Sequence, residues 1–253
     1  MHCAGCFTRR SLIALAGGGA LGLLAGCEDP PIDLVSDETV EALGLEAWGQ
    51  ILQDTGPAAD PMLQERLESV ARRLIIAAGE LPRDWEVVAF AGPEINAFAL
   101  PGRKIGVFEG LFRVANTPDQ LAAVIGHEIG HLAADHSQER LNAQVAKGWG
   151  LRAVAFLLQQ GDVAFAAEIA AALGVGVEYG LVLPYSRRQE LEADRLGLVA
   201  MNDAGFDPRE AVTLWQRMEA AASSSLPAFL ATHPAPSARI EAIEQMLLDL
   251  GAR

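Results

Sequence analysis

Cysteine and uninterrupted apolar runs are both scarce in this chain of 253 residues. The three cysteines are Cys3, Cys6 and Cys27, and the Cys3–Cys6 spacing lacks the further ligands that a structural zinc site needs. If the first 26 residues are removed, a single cysteine remains, so we expect no disulfide even in an oxidising compartment. The apolar stretch at residues 12–25 is short for a helix that crosses a bilayer.

Basic residues are also in deficit, with 19 Lys and Arg against 33 Asp and Glu and a net charge of −14. An acidic surface argues against nucleic acid as a partner, because phosphate backbones are bound by basic side chains. The charge bears on solubility and not on fold. With 51% hydrophobic residues, the composition is that of an ordinary globular protein.

The N-terminal stretch FTRRSLIALAGGGALGLLAGC has a basic start, then an apolar run, and small residues at its end. This order is typical of an export signal, and Leu24-Ala25-Gly26-Cys27 resembles the bacterial lipobox, in which cleavage precedes a lipid-modified cysteine. We therefore expect a signal peptide at 1–26 and a lipid on Cys27. An uncleaved anchor is the alternative, and the paired arginines leave Sec and twin-arginine export both open.

The remaining chain shows no internal repeat, low-complexity stretch or second domain. We place the lipidated cysteine, a polar tether and a first helix in residues 27–59, and one folded domain in residues 60–253. Residues 148–183 are apolar and glycine-rich, which is compatible with hairpin helices, a lid, a membrane-facing surface or plain core packing. Charged residues interrupt this run, so we expect no spanning helix there.

Residue patterns predict a mostly helical α+β fold with a small sheet. Helical periodicity is followed by three short β-prone runs, and Pro101-Gly102 between the last two predicts a hairpin turn. A helix with proline in its first turn is predicted to begin at Thr117 and to continue past Arg140. The other predicted elements are helices at 38–53 and 61–79 and strands within 85–90, 95–100 and 104–110.

Two histidines and a glutamate interrupt the apolar segment VIGHEIGHLAADH at 124–136. Buried imidazoles and carboxylates are costly unless a partner compensates them. Helical residues four apart lie about 6 Å apart along the axis and point the same way, so His127 and His131 can bind one zinc ion. Glu128, about 100° around the helix, can act as general base for a zinc-bound water. A pair of satisfied core histidines is the alternative.

A third ligand is expected on another element, and PYSRRQELEADRLGL at 184–198 offers three acids. Glu190 and Asp194 share one helix face, whereas Glu192 points about 200° away from Glu190. We assign Glu190 as the third ligand, Asp194 as the acceptor for a ligand histidine's other N–H, and Glu192 as a solvated acid. Small residues on both faces would let the helices pack closely, namely Gly130 and Ala134 beside the histidines and Ala193 and Gly197 beside the acids.

His136 does not fit a metal-binding role. A metzincin motif, H-E-x-x-H-x-x-G-x-x-H, would require glycine and histidine where the chain has Ala134 and Ser137. On a continuous helix His136 lies about 140° off the ligand face. We therefore predict a helix-surface or hydrogen-bonding histidine.

Three motifs occur in a recognisable order: HEIGH at 127–131, Glu190 followed by Asp194 in ELEADRLG, and THP…ARI at 232–240. They resemble the HtpX/BepA/LoiP-type zinc metalloproteases, gluzincins related to the CAAX prenyl proteases and the mitochondrial OMA-type peptidases. The resemblance covers roughly residues 60–248. The chain lacks the spanning helices of HtpX and ends at Arg253 without a BepA-like helical-repeat domain, which brings it nearer to a compact, LoiP-like protease.

This resemblance implies a mostly helical zincin with one zinc per chain that cleaves misfolded or misassembled proteins. For lipoprotein members it implies the periplasmic face of a bacterial membrane, bound through the N-terminal lipid. EINAFALPGRKIGVFEGLF is similar to the family's sheet region, whose edge strand would take substrate by strand addition. We expect Asn96, Ala97, Phe98 and Ala99 to form that strand. The natural substrate and the oligomeric state stay open.

His233 stands before Pro234, which disfavours helical backbone at His233 and predicts a loop ahead of a helix at 237–250. The family resemblance implies that this histidine lies at the active-site cleft. A protonated His233 would stabilise the oxyanion of the tetrahedral intermediate. A neutral His233 would instead occupy zinc's open position and hold the protease shut, which is the role we favour. An ordinary surface histidine is the third alternative.

The predicted reaction is peptide hydrolysis, in which Glu128 takes a proton from the attacking water and returns it to the leaving amine. A lipid-anchored chaperone or assembly factor with a latent zinc site is an alternative from another class. Glu128 argues against it, because a purely structural site needs no base. A zinc hydrolase of non-protein substrates is a third possibility that the motif leaves open.

Overall fold

The structure is a computed structural model that describes residues 35–142, 186–221, 228–233 and 236–251. The predicted signal peptide, the lipidation site Cys27 and the apolar segment 148–183 lie outside the described residues. Within those ranges, no helix combines the length and apolar character that crossing a bilayer would require.

Helices dominate the described chain, and their starts follow local sequence signals. The Asp60 side chain accepts from the Met62 amide and the Thr117 side chain from the Gln120 amide, each just before a helix that opens with proline. Ser186 and Gln189 form a reciprocal capping box. The helices are α1 (Asp37–Asp54), α2 (Pro61–Ala77), α3 (Pro118–Ala133), α4 (Arg187–Asp203), α5 (Glu210–Ala221), α6 (Ala228–Thr232) and α7 (Pro236–Asp249), with 3-10 turns at Pro82–Asp84 and Glu109–Arg113.

A three-stranded mixed sheet consists of β1 (Glu86–Phe90), β2 (Ala97–Leu100) and β3 (Lys104–Phe108) in the order β1-β3-β2. β3 runs parallel to β1 and antiparallel to β2. The β2–β3 turn follows the predicted Pro101-Gly102, and Gly102 has a φ of 85°, a backbone conformation that favours glycine. The predicted hairpin and the mostly helical α+β fold are confirmed.

The two edges of this sheet differ. The outer edge of β1 is covered, because the Ala58 amide donates to the Ala89 carbonyl and the Gln64 side chain bonds the main chain of Val87 and Ala89. β2 forms the opposite edge. An uncovered edge strand can pair with a further extended chain.

Helix α3 lies at the centre of the packing, and every residue from Gln120 to His131 is buried. It packs against α2, α4, α5 and strand β2. The prediction that this helix continues past Arg140 is wrong: it ends at Ala133, Asp135 adopts a positive φ of 53°, and a new helical stretch begins at His136. An aspartate tolerates this left-handed backbone better than most residues do, and the turn redirects the chain immediately after the last motif residue.

Candidate active site

Four buried side chains from three parts of the chain converge beside α3. His127 and His131 lie on α3, Glu190 on α4 and His233 directly after α6, and one ligand atom from each lies within 4.8 Å of the others. His127 Nε2 is 3.0 Å from His131 Nε2 and 3.2 Å from His233 Nδ1. Glu190 Oε1 is 2.9 Å from His233 Nδ1 and 3.4 Å from His131 Nε2. The sequence motifs therefore meet at one point.

These separations fit a tetrahedral metal ion. Zinc–nitrogen bonds of about 2.0–2.1 Å give a tetrahedron with edges of about 3.3 Å, and the separations above run from 2.9 to 3.4 Å. Imidazole nitrogens that face one another with their lone pairs repel unless a proton or a cation lies between them. Three nitrogens and one carboxylate oxygen are also ligand types that zinc prefers.

Hydrogen bonds on the far side of each α3 histidine hold the ring in place. His127 Nδ1 is 2.9 Å from Asp194 Oδ1, and His131 Nδ1 is 2.9 Å from His136 Nδ1. When each Nδ1 carries the proton of a neutral ring and donates it outward, each Nε2 turns a lone pair towards the shared centre. Asp194 therefore stands where an acceptor for a ligand histidine was predicted.

His136 is buried, which contradicts a helix-surface position but agrees with the hydrogen-bonding alternative. The surface prediction assumed a continuous helix, whereas the turn at Ala134 and Asp135 carries His136 back beside His131. The other ring nitrogen of His136 lies 3.5 Å from Glu192 Oε2. The Glu192 side chain is 47% exposed, as expected for a solvated acid.

The charges around the cluster set its protonation without a metal. Burial and the Arg239 guanidinium would lower the pKa of His127, but Asp194 and Glu190 outweigh both and raise it to about 9. Burial and the positive charge on His127 lower the pKa of His131 to about 2. Burial would raise the pKa of Glu190, but hydrogen bonds with His127, His131 and His233 hold it well below its usual range. A pKa of about 9 means that His127 is protonated at neutral pH when no metal is bound.

Small residues bring α3 and α4 close enough to share these ligands. A Cβ added to Gly197 would lie 2.8 Å from the Gly126 carbonyl carbon and from the His127 amide nitrogen. One added to Gly130 would lie 2.6 Å from the Ala193 carbonyl oxygen. Separations this short require the backbones to shift. The predicted close packing of the two small-residue faces is confirmed, and it sets the His127–Glu190 spacing.

Glu128 is buried next to the cluster on α3. Its Oε1 lies 3.4 Å from His233 Nε2 and has no hydrogen-bond partner among the described residues. The ring of His233 therefore points its Nδ1 towards the ligand cluster and its Nε2 towards Glu128. The ring of His233 also stacks on Phe229, with centroids 4.4 Å apart. Its burial excludes the surface-histidine alternative.

Arg239 is a site residue to which the sequence analysis assigned no role. Its side chain is 1% exposed and lies on α7. The guanidinium donates from Nε to Asp194 Oδ2 at 2.8 Å and from Nη2 to Asp194 Oδ1 at 2.5 Å, and Nη1 forms an ion pair with Glu190 Oε2 at 2.5 Å. Two signals were available: the THP…ARI motif contains Arg239, and Arg239 is four residues before Ile243 and shares its buried helix face.

The predicted substrate-binding strand is close to its expected position. β2 begins at Ala97, so Asn96 precedes the strand, although its carbonyl still accepts from the Phe108 amide. Antiparallel pairs alternate in hydrogen bonding, and with Ala97 opposite Val107 the main-chain groups of Ala97 and Ala99 point to the outer edge. Within the described residues those groups have no hydrogen-bond partner.

An HExxH helix that shares a buried cluster with a glutamate of a second helix defines a gluzincin-type metallopeptidase. Residues 61–247 match the family model described as Peptidase family M48. The chain belongs to this family, which confirms both the resemblance and the prediction of a metalloendopeptidase.

Named relatives agree with the family. The chain is 33% identical over 245 residues to the mitochondrial metalloendopeptidase OMA1 of Schizosaccharomyces pombe, with 92% of this chain and 70% of the relative covered. It is 35% identical over 161 residues to the Arabidopsis thaliana protein of that name, covering 64% and 31%. It is 30% identical over 187 residues to the beta-barrel assembly-enhancing protease of Escherichia coli K12, covering 72% and 38%. The chain thus spans about a third of the last two relatives.

Proposed function

We propose that the protein is a zinc endopeptidase that cleaves misfolded or misassembled proteins of the bacterial envelope. The observation that carries this proposal is the buried four-atom cluster with Glu128 beside it. His127, His131 and Glu190 would hold the zinc, with Asp194 and His136 orienting the two histidines. Bound zinc would supply a Lewis acid that acidifies a water molecule and polarises a peptide carbonyl.

Glu128 would carry the proton through the reaction. It takes a proton from the attacking water and delivers it to the leaving amine. Its burial excludes bulk solvent from the proton transfer, and its free Oε1 is available to the water once His233 has moved. A metal site with a purely structural role would need no such base.

The substrate would bind as an extended chain along β2. The outward main-chain groups of Ala97 and Ala99 offer a ladder of backbone hydrogen bonds, which are indifferent to side-chain identity. Sequence selectivity is therefore expected to be loose. Unfolded segments can bind as an extended chain in this way, whereas folded proteins rarely offer an unpaired extended strand.

His233 would act as a gate in this enzyme. Its Nδ1 lies among the proposed ligand atoms and its Nε2 faces Glu128, so one ring covers both the fourth coordination position and the base. The segment that carries it is tied to the sheet, since the Phe229 amide donates to the Ile95 carbonyl at 3.1 Å, two residues before β2. A substrate strand added to β2 would bind beside this contact. Stabilisation of the oxyanion is the alternative role.

The location that we propose is the periplasmic face of a bacterial membrane, with a lipid on Cys27. The export-signal pattern at 1–26 supports it, as does the similarity to a beta-barrel assembly-enhancing protease. Replacement of Cys27 by Ser is expected to abolish labelling by a radioactive fatty acid and to leave the signal uncleaved at this site. Normal processing in the Cys27→Ser variant would contradict the lipid anchor.

The main test uses residues 28–253, zinc analysis and an unfolded protein substrate such as casein. Glu128→Gln is expected to retain close to one zinc per chain and to lose cleavage, whereas Glu190→Ala is expected to lose zinc. Glu65→Gln, at an exposed glutamate on α2, is the control and should retain both. Full activity of Glu128→Gln would refute the proposed mechanism.

The same variant separates the enzyme from a lipid-anchored chaperone with a latent zinc site. If Glu128→Gln rescues a deletion strain as well as the wild-type protein does, binding of unfolded chains is the main task. A zinc hydrolase of non-protein substrates would leave casein intact while retaining zinc.

A further inference from the structure

Arg239 is the buried cation that touches both acids of the site. Its guanidinium meets Glu190 through one nitrogen and Asp194 through two. The guanidinium carbon also lies 3.8 Å from the centroid of the Trp215 ring. Nη2 also lies 3.2 Å from His127 Nδ1 and 3.4 Å from His127 Nε2. These contacts and the ring face leave the side chain little freedom.

The contact with Glu190 divides the roles of its two carboxylate oxygens. Oε1 lies near His131 and His233, whereas Oε2 lies 3.5 Å from His127 Nε2 and forms an ion pair with Arg239 Nη1. A carboxylate that binds a metal through both oxygens occupies an additional coordination position. The ion pair with the guanidinium disfavours metal binding through Oε2, so Oε1 is the oxygen that would bind the metal.

The contact with Asp194 acts on the first histidine. Nε and Nη2 of Arg239 donate to the two oxygens of Asp194. This bidentate, two-pronged geometry fixes the plane of the carboxylate as well as its position. Asp194 Oδ1 in turn lies 2.9 Å from His127 Nδ1. Arg239 thereby fixes the orientation of His127 both through Asp194 and by the direct contact of Nη2 with the ring.

We propose that Arg239 is a positioning residue that keeps Glu190 a one-oxygen metal ligand and holds Asp194 against His127. This inference rests on the proposed metal role of Glu190 and His127 and assigns no direct contact with substrate. The two acids and the one guanidinium together carry a net charge of −1, which suits a divalent cation. Loss of Arg239 would leave two buried carboxylates uncompensated and free to reorient.

The same residue fastens the C-terminal helix to the metal site. Arg239 lies on α7, six residues after His233, and its partners lie on α4. These contacts attach α7 to the metal site through side chains other than His233.

The test compares Arg239→Lys and Arg239→Ala in the detergent-solubilised full chain. Zinc affinity is measured by competition with a chromophoric chelator, and kcat and KM are measured on a quenched casein fragment. Arg239→Lys keeps the charge and loses the two-pronged geometry. It is expected to weaken zinc binding or lower kcat about 10- to 100-fold, with KM little changed. Arg217→Lys is the matched control, because among the described residues Arg217 donates only to main-chain carbonyls of Val114 and Arg113.

Chemical rescue separates positioning from mere support of the fold. Millimolar guanidinium is expected to restore part of the zinc affinity of Arg239→Ala, since the small cation fits the space of the missing side chain, and to leave Arg217→Ala unaffected. Wild-type zinc affinity and kcat in Arg239→Lys would overturn the inference. So would a metal-free Arg239→Lys that no longer folds, because Arg239 would then be purely structural.

The zinc measurement also keeps this inference distinct from the proposed function. If the wild-type protein binds zinc and does not cleave casein, the endopeptidase proposal fails while the role of Arg239 in metal affinity is still decided.

Discussion

His233 Nε2 lies 3.4 Å from Glu128 Oε1, and both side chains are buried. The other nitrogen of the same ring lies 2.9 Å from Glu190 Oε1. One imidazole thus separates the proposed base from solvent while it faces the ligand cluster. A water molecule can contact Glu128 and a metal ion together only after this ring has moved.

His233→Ala is the first prediction. We expect the variant to retain zinc through His127, His131 and Glu190 and to cleave casein or itself faster. A closed state favoured by about 1.4 kcal/mol would give a rise on the order of tenfold in kcat/KM. Zinc content and cleavage rate are measured on the same preparation. A fall in rate with zinc retained would favour the oxyanion role, and an unchanged rate would contradict both roles.

The glycines between α3 and α4 give the second prediction. Gly197→Ala would push a methyl group against the Gly126 and His127 backbones, and overpacking of this kind costs about 1–3 kcal/mol. We expect a lower free energy of unfolding in urea together with weaker zinc binding, because the helix spacing also sets the ligand spacing.

Gly49→Ala is the matched control for this substitution. A Cβ at Gly49, which is also helical, meets nothing within 4 Å, and such a change stabilises a helix by roughly 0.5–1 kcal/mol. Equal behaviour of the two variants would mean that α3 and α4 do not depend on their close contact.

His136 gives the third prediction, through its contact with His131 at 2.9 Å. In His136→Ala, the His131 Nδ1 proton loses its acceptor, and the ring loses the contact that orients it. We expect zinc affinity to fall about 10- to 100-fold, as for other residues that orient a metal-binding histidine, with the fold retained by circular dichroism. If the affinity is unchanged, another group holds His131.

Proton release on zinc binding is the fourth prediction. The pKa of His127 is raised to about 9 without a metal, so at pH 7 its Nε2 proton must leave when zinc binds. His131, with a pKa of about 2, and the ionised Glu190 contribute no proton. Calorimetry in two buffers of different ionisation enthalpy is expected to show about one proton released per zinc. Zinc affinity should rise about tenfold per pH unit from pH 7 and level off above pH 9.

The stability of the chelated protein depends on pH in the opposite direction to its zinc affinity. The folded pKa of His127 lies above its ordinary value of 6.5, so the protonated form stabilises the metal-free fold fully below pH 6.5. That contribution is lost as the pH rises through 9. The Tm of the chelated protein is therefore expected to fall between pH 6.5 and 9, and a constant Tm would contradict a protonated His127.

Much of the site could be predicted because it follows helical periodicity. Spacings of four placed His127 beside His131 and Glu190 beside Asp194, and small residues indicated which faces could meet. The turn after Ala133 was missed because Asp135 in a left-handed conformation leaves no mark in the hydrophobic pattern. The buried contact of His136 depended on that turn.

Arg239 was missed for a different reason. An arginine on a helix is usually solvent-exposed, and its burial depends on two carboxylates that lie 49 and 45 positions earlier in the chain. No local pattern reports a partner at such a distance. Its place in the THP…ARI motif and the buried face that it shares with Ile243 were the available signs.

The spread of the site along the chain bears on when the enzyme can first act. His127 and His233 are 106 positions apart and Arg239 lies beyond both, so a polypeptide still emerging from a ribosome or an export channel has the HExxH helix long before its remaining partners. A half-emerged molecule would thus have neither the third ligand nor the arginine that orients it. On the proposed ligand set, the zinc site of a newly made chain is therefore complete only after Glu190 has emerged, and its gate only after His233 has emerged.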